Sequence, residues 1–423
     1  MTTVQPSGGA RAPMISLDEA VQRLVEGGTA HCISEVETVS TFDALGRVLA
    51  ADVRSELDVP PRDNSSMDGY ALRLADLGPD GGELEVAQRI PAGAVGQALV
   101  PGTAARIFTG AQVPPGADAV VMQEACEAVP AVDRGLGRVR IRQRPALGEW
   151  IRRRGEDVQQ GAVVLAAGTR LTAQAMGLAA SVGAGRLVVR RRPRVALFST
   201  GDELAMPGEP LRPGAIYNSN RFTLRGLLQA CGCETIDLGI VADRLDATRE
   251  ALRRAAAAAD LVITSGGVSV GEEDHLKPAV QAEGRLDLWQ VAIKPGKPLA
   301  FGEVRRPVGG EALFVGLPGN PVSAAVTTMI AVVPLLRALT GEPSVVPRAI
   351  TMKAGFDWPR PDKRREFLRV RVAEDGSLVL FPNQSSGVLT SVVWADGLLD
   401  NPPGKPIARG DAVRFLPFAN LLG

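Results

Sequence analysis

The chain has 423 residues, 45% of them hydrophobic, and its 47 Lys and Arg equal its 47 Asp and Glu. At a typical ~150 residues per domain this length calls for about three folded units, and the balanced charge excludes a general attraction to nucleic acid or an anionic membrane. Four cysteines without a CxxC pair, beside only His31 and His275, make a zinc centre hard to assemble and leave carboxylates, lysines, hydroxyls and backbone amides to carry the chemistry.

Residues 1–13, "MTTVQPSGGARAP", lack the apolar core of a secretory signal and read as a flexible tail on a cytoplasmic protein with reduced thiols. "SLDEAVQRLVEG" then predicts a helix with Ser16 as N-cap, Glu19 completing a capping box, and Leu17, Ala20, Val21 and Leu24 on one face. A second helix is expected in "STFDALGRVLA", before the extended loop "LDVPPRDNSSMDGYAL". From about 80 to 150 short strands alternate with Gly and Pro turns, the pattern of a small β-rich domain. "GTRLTAQAMGLAASVG" resumes helical spacing. From 193 strands alternate with helical stretches of 10 to 15 residues, which implies βαβ units and a mainly parallel sheet covered on both faces. Cys231 and Cys233 end one of these helices and read as packing. "AAVTTMIAVVPLLRAL", interrupted by Thr327, Thr328 and Pro334, is expected to be too short to span a bilayer. After "TGEPSVVP" short strands return, suggesting a barrel-like β domain.

In an open α/β sheet, ligands bind beyond the carboxyl ends of the strands. The polar loops of residues 195–320 fall there: "STGDEL" with Glu203, "IVADRLD" with Asp243, "TSGGVSVGEEDHLK" with Asp274, and "GLPGNPVS". Gly266 and Gly267 let the backbone approach a ligand, and amides at a helix start favour an anion. Glu272 and Glu273 read as decoration of the positive end of a helix. Asp274, sharing a rim with Asp243 and Glu203, points instead to a cation. Mg²⁺ takes one or two carboxylates and completes its shell with water and phosphate oxygens, so it would reconcile an acidic loop with an anion. In "GLPGNPVS", Asn320 is the expected N-cap and Pro321 the first helical residue. "AIKPGKPLAFG" holds Lys294 and Lys297 close together across a rigid turn, an arrangement that repels itself without an anion between them. "RDNSSMDGYAL", with Asp63 and Asp68, reads locally as a turn with Asx caps. The Arg-rich segments read as solvated strand faces, Arg364 and Arg365 excepted.

"PPRDNSSMDGYA", "TGAQVPPGADAVVMQE", "RRRGEDV", "STGDEL", "ITSGGVSVGEEDHLK", "IKPGKPLAFG" and "LPGNPVS", in this order and spacing, resemble the MoeA family of molybdopterin molybdenumtransferases, related to the E domain of gephyrin. The resemblance covers about residues 14–423. It implies a multidomain α/β fold: a helical linker domain from 14–56 and 151–190, an inserted β-rich domain at 57–150, a MogA-like α/β catalytic domain at 191–340, and a C-terminal β-barrel at 341–423. It also implies a homodimer with the active site between the α/β domain of one subunit and the inserted domain of the other.

The implied reaction inserts molybdenum from molybdate into adenylylated molybdopterin, with Mg²⁺-dependent release of AMP. By motif, Asp63, Thr109, Asp157, Glu203, Asp243, Asp274 and Lys294 match positions the family uses. Asp243 and Asp274, with Glu203, would hold the metal. Thr264, Ser265, Gly266, Gly267 and Ser269 would cradle the pterin phosphate or adenylate, with Pro318, Asn320 and Pro321 also on the substrate side. Lys294, Lys297, Arg365 and Ser386 are the expected molybdate pocket. Some relatives carry Lys where this chain has Gln290. Molybdopterin adenylyltransferases and recipient molybdoenzymes are the implied protein partners. Two alternatives stay open: adenylylation of molybdopterin, and a non-catalytic scaffold of the gephyrin kind.

Overall fold

A computed structural model describes residues 14–132, 134–267 and 275–422. Its central sheet runs, in spatial order, Met14–Ile15, Gly284–Val291, Pro298–Arg305, Glu311–Leu317, Leu261–Ser265, Arg194–Thr200 and Glu234–Val241. Four of the six pairings are parallel, and an antiparallel meander occupies one side. "RVALFST", "LVITS" and "ALFVGL" are almost wholly buried, as strands covered on both faces must be. Helices Leu245–Ala258 and Leu276–Glu283 cover one face. Helices Leu17–Ala30, Ser219–Ala230 and Pro321–Leu339 cover the other.

The last of these is the apolar stretch expected to be interrupted. It is instead continuous over 19 residues, long and apolar enough by composition to cross a membrane, yet 94% of it is buried inside the protein as a core helix. Pro334 is accommodated because a wide π turn, Thr328–Val332, precedes it and absorbs the missing N–H. Leu17–Ala30 packs against this helix. A Cβ on Gly28 would lie 2.7 Å from the Leu335 carbonyl oxygen, so the glycine sets how closely the two helices approach. Ser16 caps the first helix by accepting the Glu19 amide at 3.1 Å, while the Glu19 carboxylate turns outward to Arg23 at 2.6 Å. Residues 14–30 therefore belong physically to the α/β layer.

The two separated linker pieces do meet. Val36–Ser40 pairs with Arg186–Arg190 and Val53–Arg54 with Val163–Leu165, around a small core that also takes helix Ala173–Ser181. The second helix expected in "STFDALGRVLA" reduces to a single 3-10 turn, Thr41–Asp43. Gly46 follows at φ +71° and donates its amide to the Leu171 carbonyl, so pairing across the domain wins over local helix spacing. The inserted domain is a six-stranded mixed sheet. At the C-terminus Ile350–Ala354, Arg365–Val372, Ser377–Leu380, Gly397–Asn401 and Ala412–Pro417 close into a barrel through the pairing of Arg365–Val372 with Gly397–Asn401. A two-residue strand from the α/β region, Ile293–Lys294, adds in parallel to the barrel at Arg365–Glu366. Cys231 and Cys233 are buried free thiols, as packing residues should be.

Candidate functional site

Strand register builds the rim. Ser265 lies between Ser199 and Leu317, and Thr200 beside Val241. The loops after all four strands therefore leave one edge together: Gly201–Glu203, Ala242–Asp243, Gly266–Gly267 and Pro318–Asn320. The Asn220 amide donates to the Gly319 carbonyl at 2.7 Å and pins the last loop.

Against this rim stands the barrel. A cavity of about 660 Å³ opens between them, and Glu203, Gly266, Gly267, Lys294, Lys297, Pro318, Asn320 and Ser386 all line it. Arg364, Gln384, Ser385 and Ser323 complete its wall. Asn320 sits at the N-cap position, as expected, but makes no capping hydrogen bond. The Val322 amide donates instead to the Ser386 carbonyl of the barrel at 3.0 Å, which leaves the Asn320 side chain to the cavity. Pro321 starts the helix.

The lysine turn is fixed from below. Gly296 has φ +108°, and a side chain there would run into the Thr327 hydroxyl. Lys294 Nζ lies 3.4 Å from Glu366 Oε1 and 3.6 Å from Asp362 Oδ2. Glu366 is fully buried and also accepts from Trp358 Nε1 at 2.8 Å and Asn401 Nδ2 at 3.3 Å. The Arg364 guanidinium forks onto Asp362 at 3.0 and 2.9 Å and holds that carboxyl well below the usual carboxylate range, helped by the Arg364 amide and Lys294. Lys294 is thus matched by barrel carboxylates, whereas Lys297 makes no ion pair among the described residues.

Other expected site residues lie elsewhere. Arg365 does not reach the cavity: it forks onto Asp400 at 2.6 and 2.7 Å and meets Asp18 at 2.9 Å, so Arg364 takes its place. The Thr264 and Ser265 side chains are buried in the sheet, and only the chain just after them faces the cavity. Asp243 leaves the same edge without lining the cavity. Ser269 and Asp274 lie outside the described residues. Among those described, the three ligand groups close enough to share a cation are His31, Glu303 and Glu311, with Glu311 opening its strand at the edge opposite the rim.

Asp63, Thr109 and Asp157 gather around the inserted domain. Burial would raise the Asp63 carboxyl, but the Arg154 amide at 2.8 Å and Arg153 at 2.7 Å outweigh it and hold it below its ordinary value. Asp68 Oδ1 accepts both the amide and the hydroxyl of Thr109, each at 2.8 Å. Asp157 is exposed and donates its amide to the Val59 carbonyl. None of the three lines the cavity.

Sequence reasoning set Arg364 and Arg365 apart but placed only Arg365 in the pocket, and it missed Gln384 and Ser385 as cavity residues and the Asp362–Glu366 support beneath Lys294. For Arg364, Asp362 and Glu366 the signal was the charged run "RPDKRREF", which does not say which arginine turns inward; "PNQSSG" gave none for Gln384 and Ser385 beyond a polar turn.

A glycine-lined strand rim, two lysines on a rigid turn and a barrel wall enclose one cavity at the carboxyl ends of a mainly parallel sheet, the arrangement of an α/β enzyme. Three family models match in order: the MoeA N-terminal region (domain I and II) over residues 15–183, the probable molybdopterin binding domain over 196–338, and the MoeA C-terminal region (domain IV) over 351–418. A molybdopterin molybdenumtransferase of Haemophilus influenzae is 38% identical over 97% of this chain and 100% of its own. Molybdopterin molybdenumtransferase 2 of Mycobacterium tuberculosis is 39% identical over 86% of this chain and 90% of its own. The crystal structure of the MoeA protein of Pyrococcus horikoshii OT3 superposes with a TM-score of 0.80 at 29% identity, over 96% of this chain and 100% of the other. The chain belongs to the MoeA family, a family of enzymes.

Proposed function

We propose that this chain inserts molybdenum from molybdate into adenylylated molybdopterin, with release of AMP, and works as a homodimer. The observation that carries the reading is the cavity in which Lys294, Lys297 and Arg364 face the Gly266–Gly267 turn. Molybdate is a tetrahedral dianion. Lys297, which has no ion-pair partner among the described residues, and Arg364 supply charge to it, and the Ser386 hydroxyl supplies a donor. Lys294, held by Asp362 and Glu366, is kept in place for charge that develops on an oxygen. The Gly266–Gly267 turn gives a phosphate or adenylate close backbone approach.

Glu203 and Asp243 are hard oxygen donors of the kind Mg²⁺ takes, and both come off the rim; Asp274 is the third expected ligand. Bound there, Mg²⁺ would neutralise charge on the phosphoanhydride. The dimer is supported by Asp63 and Thr109, which lie away from the cavity of their own chain, and by Val36, Phe42 and Leu45 of the linker, all exposed, Phe42 at 89%.

The test is incubation of purified protein with adenylylated molybdopterin, Mg²⁺ and molybdate, reading AMP by chromatography. AMP release that requires molybdate is expected. Release indifferent to molybdate, or AMP transfer from ATP onto the pterin instead, would overturn the reading.

A further inference from the structure

His31, Glu303 and Glu311 carry ligand atoms that all lie within 4.8 Å of one another, at the end of the α/β sheet opposite the rim. Strand pairing brings the two carboxylates together. In the antiparallel hairpin of Pro298–Arg305 with Glu311–Leu317, Glu303 stands opposite Leu313, and Arg305 opposite Glu311. Positions two apart share a face, so Glu303 and Glu311 are diagonal neighbours on one side. Leu313, on that side, is buried in the core that helix Leu17–Ala30 covers. The helix ends over the hairpin: a Cβ on Gly27 would lie 2.5 Å from the Phe301 ring, and His31 is the C-cap one turn later.

The His31 ring is oriented by its own helix. Nδ1 lies 3.0 Å from the Gly27 carbonyl oxygen, which takes an N–H there and leaves Nε2 as the acceptor. Metal-binding histidines typically commit their second nitrogen in this way. The protein supplies little to satisfy the three groups. Among the described residues His31 forms no ion pair with either glutamate, and Glu311 forms none at all. Both contacts from Arg285 to Glu303, at 3.4 Å, fall on Oε2 and leave Oε1. The neighbouring arginines bond more closely elsewhere: Arg285 to Asp287 at 2.9 Å, Arg305 to the Ala282 carbonyl at 2.6 Å and Arg306 to the Ala259 carbonyl at 2.9 Å. His31 and Glu311 also line a hollow of about 370 Å³, which gives an ion room for its waters.

We propose that His31, Glu303 and Glu311 form a cation site, separate from the rim, for a borderline divalent transition metal such as Zn²⁺. Two carboxylates cancel the charge of the ion, and the imidazole favours Zn²⁺ over Mg²⁺, which takes oxygen ligands. Zn²⁺ holds nitrogen and oxygen at about 2.0–2.2 Å, so neighbours in a tetrahedral shell stand about 3.5 Å apart. Glu311, exposed at the start of its strand, need only swing inward. Bound there, the ion ties the end of the first helix, where the chain leaves for the linker strand Val36–Ser40, to the hairpin of the α/β sheet.

The test is titration of the metal-free full-length protein with Zn²⁺ in excess Mg²⁺. One Zn²⁺ per chain should bind with a Kd of about 10 µM or below, His31→Ala should weaken it about a hundredfold, and Glu311→Gln about tenfold. Asp243→Asn, which alters the rim, should leave it unchanged. X-ray absorption of the zinc-loaded protein should show one imidazole in the ligand shell. Zn²⁺ should slow hydrogen exchange at residues 32–35 in wild type and not in His31→Ala. No uptake at about ten times that Kd, equal uptake by wild type and His31→Ala, or loss of uptake in Asp243→Asn would each overturn the site.

Discussion

The barrel-facing cavity and the inserted domain both present acids and hydroxyls in glycine-rich loops, but they spend those groups differently. On the inserted domain Asp63 is taken up by Arg153 and Arg154, and Asp68 by Thr109. At the cavity Lys297 has no ionic partner among the described residues and the Asn320 side chain is released from capping duty. Free binding capacity thus concentrates between the α/β layer and the barrel. The inserted-domain residues are held by these partners and do not line the cavity of their own chain, which is the arrangement the proposed shared site requires.

Breaking that comparison produces the largest expected effect. Asp63→Ala and Lys294→Ala should each abolish turnover alone. In a homodimer whose sites are shared across subunits, co-expressing the two should restore about a quarter of the wild-type sites, because half of the dimers are mixed and each mixed dimer has one intact site. No recovery in purified mixed dimers would place all the chemistry within one subunit.

The two lysines sharpen the contrast within the cavity. Lys297→Ala strands no carboxylate among the described residues, so stability should move by less than about 0.5 kcal/mol while molybdate-dependent turnover falls about a hundredfold. Lys294→Ala strands the buried Glu366 and should also cost roughly 3 kcal/mol in denaturant unfolding. Equal stability of the two variants would show that Glu366 does not depend on Lys294.

Much of this was legible in the sequence for a physical reason: strand ends and the glycines after them are local features, and open α/β sheets put ligands at strand ends. The rim loops and the lysine turn follow from that, whereas Ser386 was expected only through the family resemblance. What was not legible depends on long-range pairing. Met14–Ile15 joins Gly284–Val291, which carries the first helix into the α/β core. "STFDALGRVLA" has helical spacing but is claimed by Thr169 and Leu171 across the linker. Arg364 and Arg365 are adjacent in sequence and point apart because Arg365 opens a strand and pairs with Asp400, a partner that only barrel closure supplies.

A smaller effect comes from the support under Lys294. Glu366→Gln keeps an acceptor for Trp358 but removes a negative charge from behind the cavity. Molybdate should bind about threefold tighter, at a stability cost of about 1–2 kcal/mol for the weakened buried network. Weaker binding in a folded variant would mean that Glu366 serves the ligand by holding Lys294 in position more than it opposes it by charge.

The smallest effect is a pH dependence at Asp362. Its folded-state pKa is lowered from an ordinary value of 3.8, mainly by the Arg364 fork. A carboxyl with a depressed folded value contributes its full stability above the unfolded value and loses it as pH falls through the lower folded one. The difference in Tm between wild type and Asp362→Asn should therefore be constant from about pH 5 to 8 and shrink only below about pH 4. A difference that already shrinks between pH 5 and 7 would mean that Arg364 does not hold this carboxylate in solution, and that the arginine is free to leave the barrel wall.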